Sequence, residues 1–121
     1  LETTLDEIAQ FANSPEPVIV FAHWGNEYVP ATDRVKKWAR QFIDAGADAV
    51  IGHHPHVVQE TEYYKGVFIA YSLGNFVFDQ YFNPEVRKGG AAELIVRENK
   101  IVQSQLLPVT LDEKRRPCIG E

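Results

Sequence analysis

Two short apolar runs separated by one amphipathic stretch constrain this chain more than any other feature. Pro17 to Ala22 (Pro-Val-Ile-Val-Phe-Ala) shows no alternation of apolar and polar residues, and Ala47 to Ile51 is a second largely apolar run. Each reads as a short strand buried on both faces. Between them Val35, Trp38, Ala39, Phe42 and Ile43 recur at i, i+3, i+4, i+7 and i+8, with Thr32 as a cap and Gly46 as a stop. Residues 17–52 therefore form a β-α-β unit, whose crossover is nearly always right-handed and whose strands run parallel.

The flanking sequence fills in the fold class. Leu1, Leu5, Ile8 and Phe11/Ala12 share a helical face that Asn13-Ser14-Pro15 interrupts. This face begins at the first residue, with neither a methionine nor a cap before it, as expected of a segment from a longer protein. Beyond residue 57 the pattern changes to hairpins. Val57 to Glu62 and Val67 to Tyr71 flank Tyr64-Lys65-Gly66, while Ala91 to Arg97 and Ile101 to Val109 flank Glu98-Asn99-Lys100. Asp79 to Gly90 has no apolar period and is expected to be a mobile loop. The fold class is α/β, a β-α-β unit followed by antiparallel hairpins, in one domain: 121 residues at 45% hydrophobic and 24% charged suit a single globular unit.

Composition excludes several functions. The net charge of -5, with Lys and Arg scattered except at Lys114-Arg115-Arg116, disfavours a grip on phosphate backbones, so no nucleic-acid partner is expected. No apolar run approaches the roughly 18 to 20 residues that cross a bilayer, so the segment is expected to be soluble. The lone Cys118 rules out an internal disulfide. Nucleophile-elbow, phosphate-loop and dinucleotide glycine motifs are missing.

What remains is histidine. All four lie within residues 23–56: His23 follows the first apolar run, and Gly52-His53-His54-Pro55-His56 follows the second. Ligands gather outside the carboxyl ends of parallel strands. With neighbouring strands about 4.8 Å apart and zinc–nitrogen bonds of about 2.0 to 2.1 Å, imidazoles from both ends can meet on one ion. Pro55 disfavours a helical conformation at His54. An extended segment would point His54 and His56 to one side and His53 to the other. His23, His54 and His56 are thus the candidate metal ligands, and His53 a supporting or structural residue. Glu27, the nearest carboxylate, partners a histidine or touches substrate, or is a solvated loop acid; Asp79 has similar standing. In Tyr71-Ser72-Leu73-Gly74-Asn75-Phe76, Ser72 or Asn75 can present a hydroxyl or amide to an anionic substrate group, although Gly-Asn is also an ordinary turn pair.

Three ordered motifs carry a family resemblance: His23-Trp24-Gly25-Asn26-Glu27-Tyr28, Gly46 to Val57 (Gly-Ala-Asp-Ala-Val-Ile-Gly-His-His-Pro-His-Val), and Tyr71 to Asp79 (Tyr-Ser-Leu-Gly-Asn-Phe-Val-Phe-Asp). They resemble the carboxy-terminal half of the bacterial CapA family of capsule and poly-γ-glutamate synthesis proteins. That family is similar to the calcineurin-like metallophosphoesterases, an α/β/β/α sandwich with two metal ions and a bridging hydroxide that attacks a phosphoester. The resemblance implies that residues 1–121 are the C-terminal part of one such domain, with His23 as the late lone histidine ligand and His54 and His56 as the last histidine pair. It further implies one or two divalent transition-metal ions (Mn, Fe or Zn) in the intact protein. A phosphoester or anionic-polymer substrate, membrane synthesis-complex subunits as partners, and an extracytoplasmic, membrane-associated place in the cell envelope follow from it too. The superfamily's early Asp-x-His, Gly-Asp-x-x-Asp and Gly-Asn-His motifs are absent from these residues. Three neutral imidazoles offer no anionic bridge between two dications, so this chain alone is expected to hold at most one ion well and to catalyse little. The alternatives are a non-catalytic accessory component of a polymer synthesis or export complex and a mononuclear structural zinc domain. The acidic charge weighs against direct binding of polyglutamate.

Overall fold

The strand that organises the molecule is β2 (Ala49–His53), in which Ala49, Val50, Ile51 and Gly52 are all buried. The computed structural model describes residues 1–120. β1 (Ile19–His23) pairs in parallel with β2, Ile19 opposite Ala49 through His23 opposite His53. α2 (Asp33–Asp44) crosses between them. The Thr32 hydroxyl accepts from the Val35 amide, and Val35, Ala39, Phe42 and Ile43 are buried, as the periodicity predicts. α1 (Glu2–Phe11) buries Ile8 and leaves Phe11 exposed.

The sheet is larger than the β-α-β unit. β3 (Thr61–Tyr64) and β4 (Val67–Ala70) form the expected antiparallel hairpin. Its turn residues Lys65 and Gly66 both have positive φ, the pairing that matches strand twist. What the sequence pattern leaves out is that β4 also lies parallel to β2, giving the order β1-β2-β4-β3. A second sheet, β5 (Lys88–Arg97), β6 (Lys100–Leu111) and β7 (Pro117–Ile119), is wholly antiparallel.

Alternation along the central strands builds three layers. Val50, Ile69 and Tyr71 face the helices, packing with Ile8, Val35, Ala39 and Phe42. Ile51, Phe68 and Ala70 face the second sheet and meet Leu73, Ala92, Leu94 and Leu106. Each fully buried aliphatic side chain here contributes roughly 1.5 to 3 kcal/mol by leaving water.

Two local expectations are corrected. β1 is an edge strand whose residues alternate: Val20 and Ala22 pack toward the helices, while Phe21 is 65% exposed. Its unbroken apolar run indicated burial on both faces, but no neighbouring strand or second-sheet residue covers the outer face among the described residues. The Asp79–Gly90 stretch is also more ordered than a mobile loop. Asn83 caps a 3-10 turn (Pro84–Arg87) by accepting from the Glu85 and Val86 amides, Val86 is fully buried, and Lys88 to Gly90 open β5. Val86 docked on the core, the Asn83 cap and the Asn75 bond to the Val86 carbonyl hold this segment, and none of these has a periodicity to read.

Candidate metal centre

The carboxyl ends of β1 and β2 carry two loops stitched together through the backbone. The Trp24 amide donates to the His53 carbonyl (3.1 Å) and the Tyr28 amide to the Pro55 carbonyl (2.8 Å). The buried Gln59 side chain adds a bond to the Val29 carbonyl (2.7 Å). Under these loops the Trp24 indole donates to the Tyr71 carbonyl (2.9 Å) across Gly52. A Cβ on Gly52 would sit 2.1 Å from that carbonyl oxygen and 2.5 Å from the indole nitrogen. Glycine is therefore required where β2 ends, and it sets the direction in which the histidines leave.

Among the described residues, one group brings ligating atoms within 4.8 Å of one another: Glu27, His54 and His56. The convergence of His54 and His56 arises differently from the expected alternation. Neither is extended; φ is 106° at His54 and 60° at His56, and Tyr28, which stacks on His56, has φ 62°. Such angles cost non-glycine residues about 1 to 3 kcal/mol each and persist only where surrounding structure imposes them. The remaining positive-φ residues other than glycine, Lys65, Glu98, Asn99 and Arg115, lie outside this site. Three of the seven such residues thus lie on the loops that carry the ligating atoms, with the largest φ at His54.

Each of the other candidates has a definite place. His23 is exposed at the end of β1; its ring lies 4.5 Å from that of His54 and 4.8 Å from that of His53, outside the three-residue group. Glu27, four residues further along the loop, is the residue whose carboxylate lies with the two imidazoles. His53 stacks on Phe21 at 4.5 Å. Burial, then the neighbouring His23, holds its imidazole below the ordinary range. Ser72 is fully buried and its Oγ accepts from the Gly74 amide (3.2 Å). Asn75 is also buried, and its side chain meets His56 Nδ1 at 2.9 Å rather than facing solvent. Asp79 is exposed and lies 3.9 Å from Arg115.

Sequence reasoning missed the surroundings of His56. Tyr28 and Phe78 flank its ring at 6.0 and 5.0 Å, and Phe82 meets Tyr28 edge-on at 5.2 Å. Gln80 donates to the Tyr28 hydroxyl (2.9 Å). Their one signal is the aromatic richness of residues 76–82, which carries no spacing of its own.

The donor set fits a divalent transition metal. Two imidazoles and one carboxylate match the ligands that such ions take, and Glu27 supplies the anionic donor that three histidines lack. His56 Nε2 and Glu27 Oε1 are 3.9 Å apart. That is too long for a direct hydrogen bond and within the roughly 4.2 Å that separates two donors on opposite sides of one ion. All three ligating atoms lie within 4.8 Å of one another, and Glu27, whose side chain is half exposed, has the freedom to adjust around an ion.

The chain is similar to several known proteins. The family model described as bacterial capsule synthesis protein PGA_cap matches residues 1–80. The chain is similar to the PGA biosynthesis protein CapA of Bacillus subtilis, 37% identical over 113 residues that make up 93% of this chain and 30% of that protein. It is similar to the capsule biosynthesis protein CapA of Bacillus anthracis, 39% identical over 97 residues, 79% of this chain and 23% of that protein. A probable polyglutamine synthesis accessory protein of Mycobacterium tuberculosis is 31% identical over 106 residues, 80% of this chain and 28% of that protein. The chain spans less than a third of the length of these relatives. With the family model matched over residues 1–80, through β2, the paired histidines and the Ser72–Asn75 turn, the chain belongs to the bacterial capsule synthesis PGA_cap family, the CapA family.

Proposed function

We propose that this chain is the C-terminal part of a CapA-type capsule or poly-γ-glutamate biosynthesis protein, and that Glu27, His54 and His56 hold a divalent transition-metal ion there. The observation that carries the reading is the convergence of a carboxylate and two imidazoles on strained loops at the carboxyl ends of two parallel strands. The metallophosphoesterase superfamily implied by the family supports a hydrolytic role on a phosphoester or related anionic bond. A bound ion would supply Lewis-acid polarisation and a water of lowered pKa. The chain's own residues would hold that ion, flank His56 with the Tyr28 and Phe78 rings, and leave His23 exposed beside His54. A second ion near His23 needs carboxylates from elsewhere in the protein to offset repulsion between dications.

The supporting experiment is elemental analysis of the purified protein, wild type beside His54→Ala/His56→Ala and Glu27→Gln. The reading expects bound Mn, Fe or Zn in the wild type and its loss in the double variant. Equal, negligible metal in all three samples sinks it. A second reading rests on the word "accessory" in the name of the M. tuberculosis relative. In it the protein serves a polymer synthesis or export complex at the outer face of the bacterial membrane without catalysis. Metal-site substitutions would then leave complex assembly intact, while surface changes in residues 79–90 disrupt it.

A further inference from the structure

We propose that Asn75 is a positioning residue that locks His56 in its Nδ1–H tautomer, so that the ring presents the lone pair of Nε2 toward Glu27. This goes beyond the metal-centre reading and rests on it only for its consequence, not for the tautomer itself.

The assignment follows from an acceptor that has no choice. The Val86 carbonyl can only accept, and it lies 2.9 Å from one end of the Asn75 side chain, so that end is the amide NH2. Its second N–H reaches Gln80 Oε1 at 3.3 Å. The orientation of Gln80 is consistent with this, because its own NH2 end donates to the Tyr28 hydroxyl at 2.9 Å. Both Asn75 N–H groups are therefore used, and Oδ1 is left facing His56 Nδ1 at 2.9 Å. An amide oxygen can only accept, so the proton sits on Nδ1. Turning the amide over would set two acceptors against each other at Val86. Asn75 is 4% exposed, so no bulk water is at hand to compensate.

With Nδ1 protonated, the neutral ring has its lone pair on Nε2. That atom is 3.9 Å from Glu27 Oε1, so a lone pair faces a carboxylate, an arrangement that favours a cation between them. Without a fixed partner, the imidazole would populate both tautomers, and part of the population would present N–H where an ion needs a donor atom. The same network anchors His56 to the 3-10 turn through Val86 and to the β1 loop through Gln80 and Tyr28.

The test is long-range 1H–15N correlation NMR of histidine-labelled protein without metal, at a pH above the imidazole range, followed by Zn2+ titration. Wild type is expected to show His56 as the single Nδ1–H tautomer. Asn75→Leu, similar in size and unable to accept, is expected to lose that signature and to weaken Zn2+ binding about 10- to 100-fold. A wild-type ring in the Nε2–H form overturns the proposal without needing any variant, as does Asn75→Leu with unchanged tautomer and affinity. The two readings fail separately. An Nδ1–H ring in a protein that binds no Zn2+ upholds the lock and removes the metal centre, whereas Zn2+ held by a protein whose His56 is Nε2–H does the reverse.

Discussion

Gly52 shows how closely a single residue controls the site. Its α-carbon passes beneath the Trp24 indole and the Tyr71 carbonyl, at distances that leave no space for a methyl group. Gly52→Ala must push β2 away from one of them, and overpacking against backbone is expected to cost about 3 kcal/mol or more. Thermal unfolding checks this, with a fall in Tm of about 10 °C or more expected at this chain length. An unchanged Tm would mean that the crossing is looser than described. His54 and His56 were legible as a pair because a short polar segment follows a buried strand, yet the reason inferred from Pro55 was not the operative one. Alternation in an extended chain would have aligned them; instead two left-handed residues turn the rings together. That the Glu27 carboxylate lies within 4.8 Å of the histidine pair was not legible, because the conformation of a loop held by the long-range bonds Trp24–His53 and Tyr28–Pro55 has no local signature.

At the scale of elements, α2 is held to the far edge of the sheet by charge as well as by its apolar face. Arg40 donates two hydrogen bonds to Glu62 on β3 (2.9 and 3.1 Å), and the buried Tyr71 hydroxyl donates a third (2.7 Å). The Arg40 bonds, ahead of the opposing effect of burial and with help from Tyr71, hold the Glu62 carboxyl below its ordinary value of 4.5. The sign follows from linkage. Because the folded state binds the proton less readily, the ionised carboxylate stabilises fully above about pH 4.5 and this contribution is lost as pH falls through the depressed folded value. Glu62→Gln is expected to lower stability at pH 7 by about 1 to 2 kcal/mol and to flatten the acid limb of a stability-versus-pH curve. Parallel curves for wild type and variant below pH 4.5 would contradict it. The elements themselves were largely visible in advance: α2, both hairpins and the parallel β1–β2 pair follow from periodicity and turn residues. The parallel β2–β4 pairing and the edge position of β1 were not, since strand order is a property of the assembled sheet.

At the scale of the molecule, helices, mixed sheet and antiparallel sheet stack as three layers, and among the described residues none of the helices is long and apolar enough to cross a membrane. The candidate site sits at one rim, where the β1 and β2 loops meet the Ser72–Asn75 turn and the segment leading to the 3-10 turn. An ion held there joins parts of the chain remote in sequence. It should therefore stabilise the fold by mass action, about 2.7 kcal/mol at a free concentration 100 times its Kd. Chelation should lower Tm in wild type and leave His54→Ala/His56→Ala unmoved. The most direct measurement is anomalous diffraction from crystals of the protein grown with zinc. The account predicts one peak about 2.0 to 2.2 Å from a Glu27 carboxylate oxygen, a His54 ring nitrogen and His56 Nε2. Zinc bound elsewhere, with Glu27 turned to solvent and no peak between the two histidines, would contradict it.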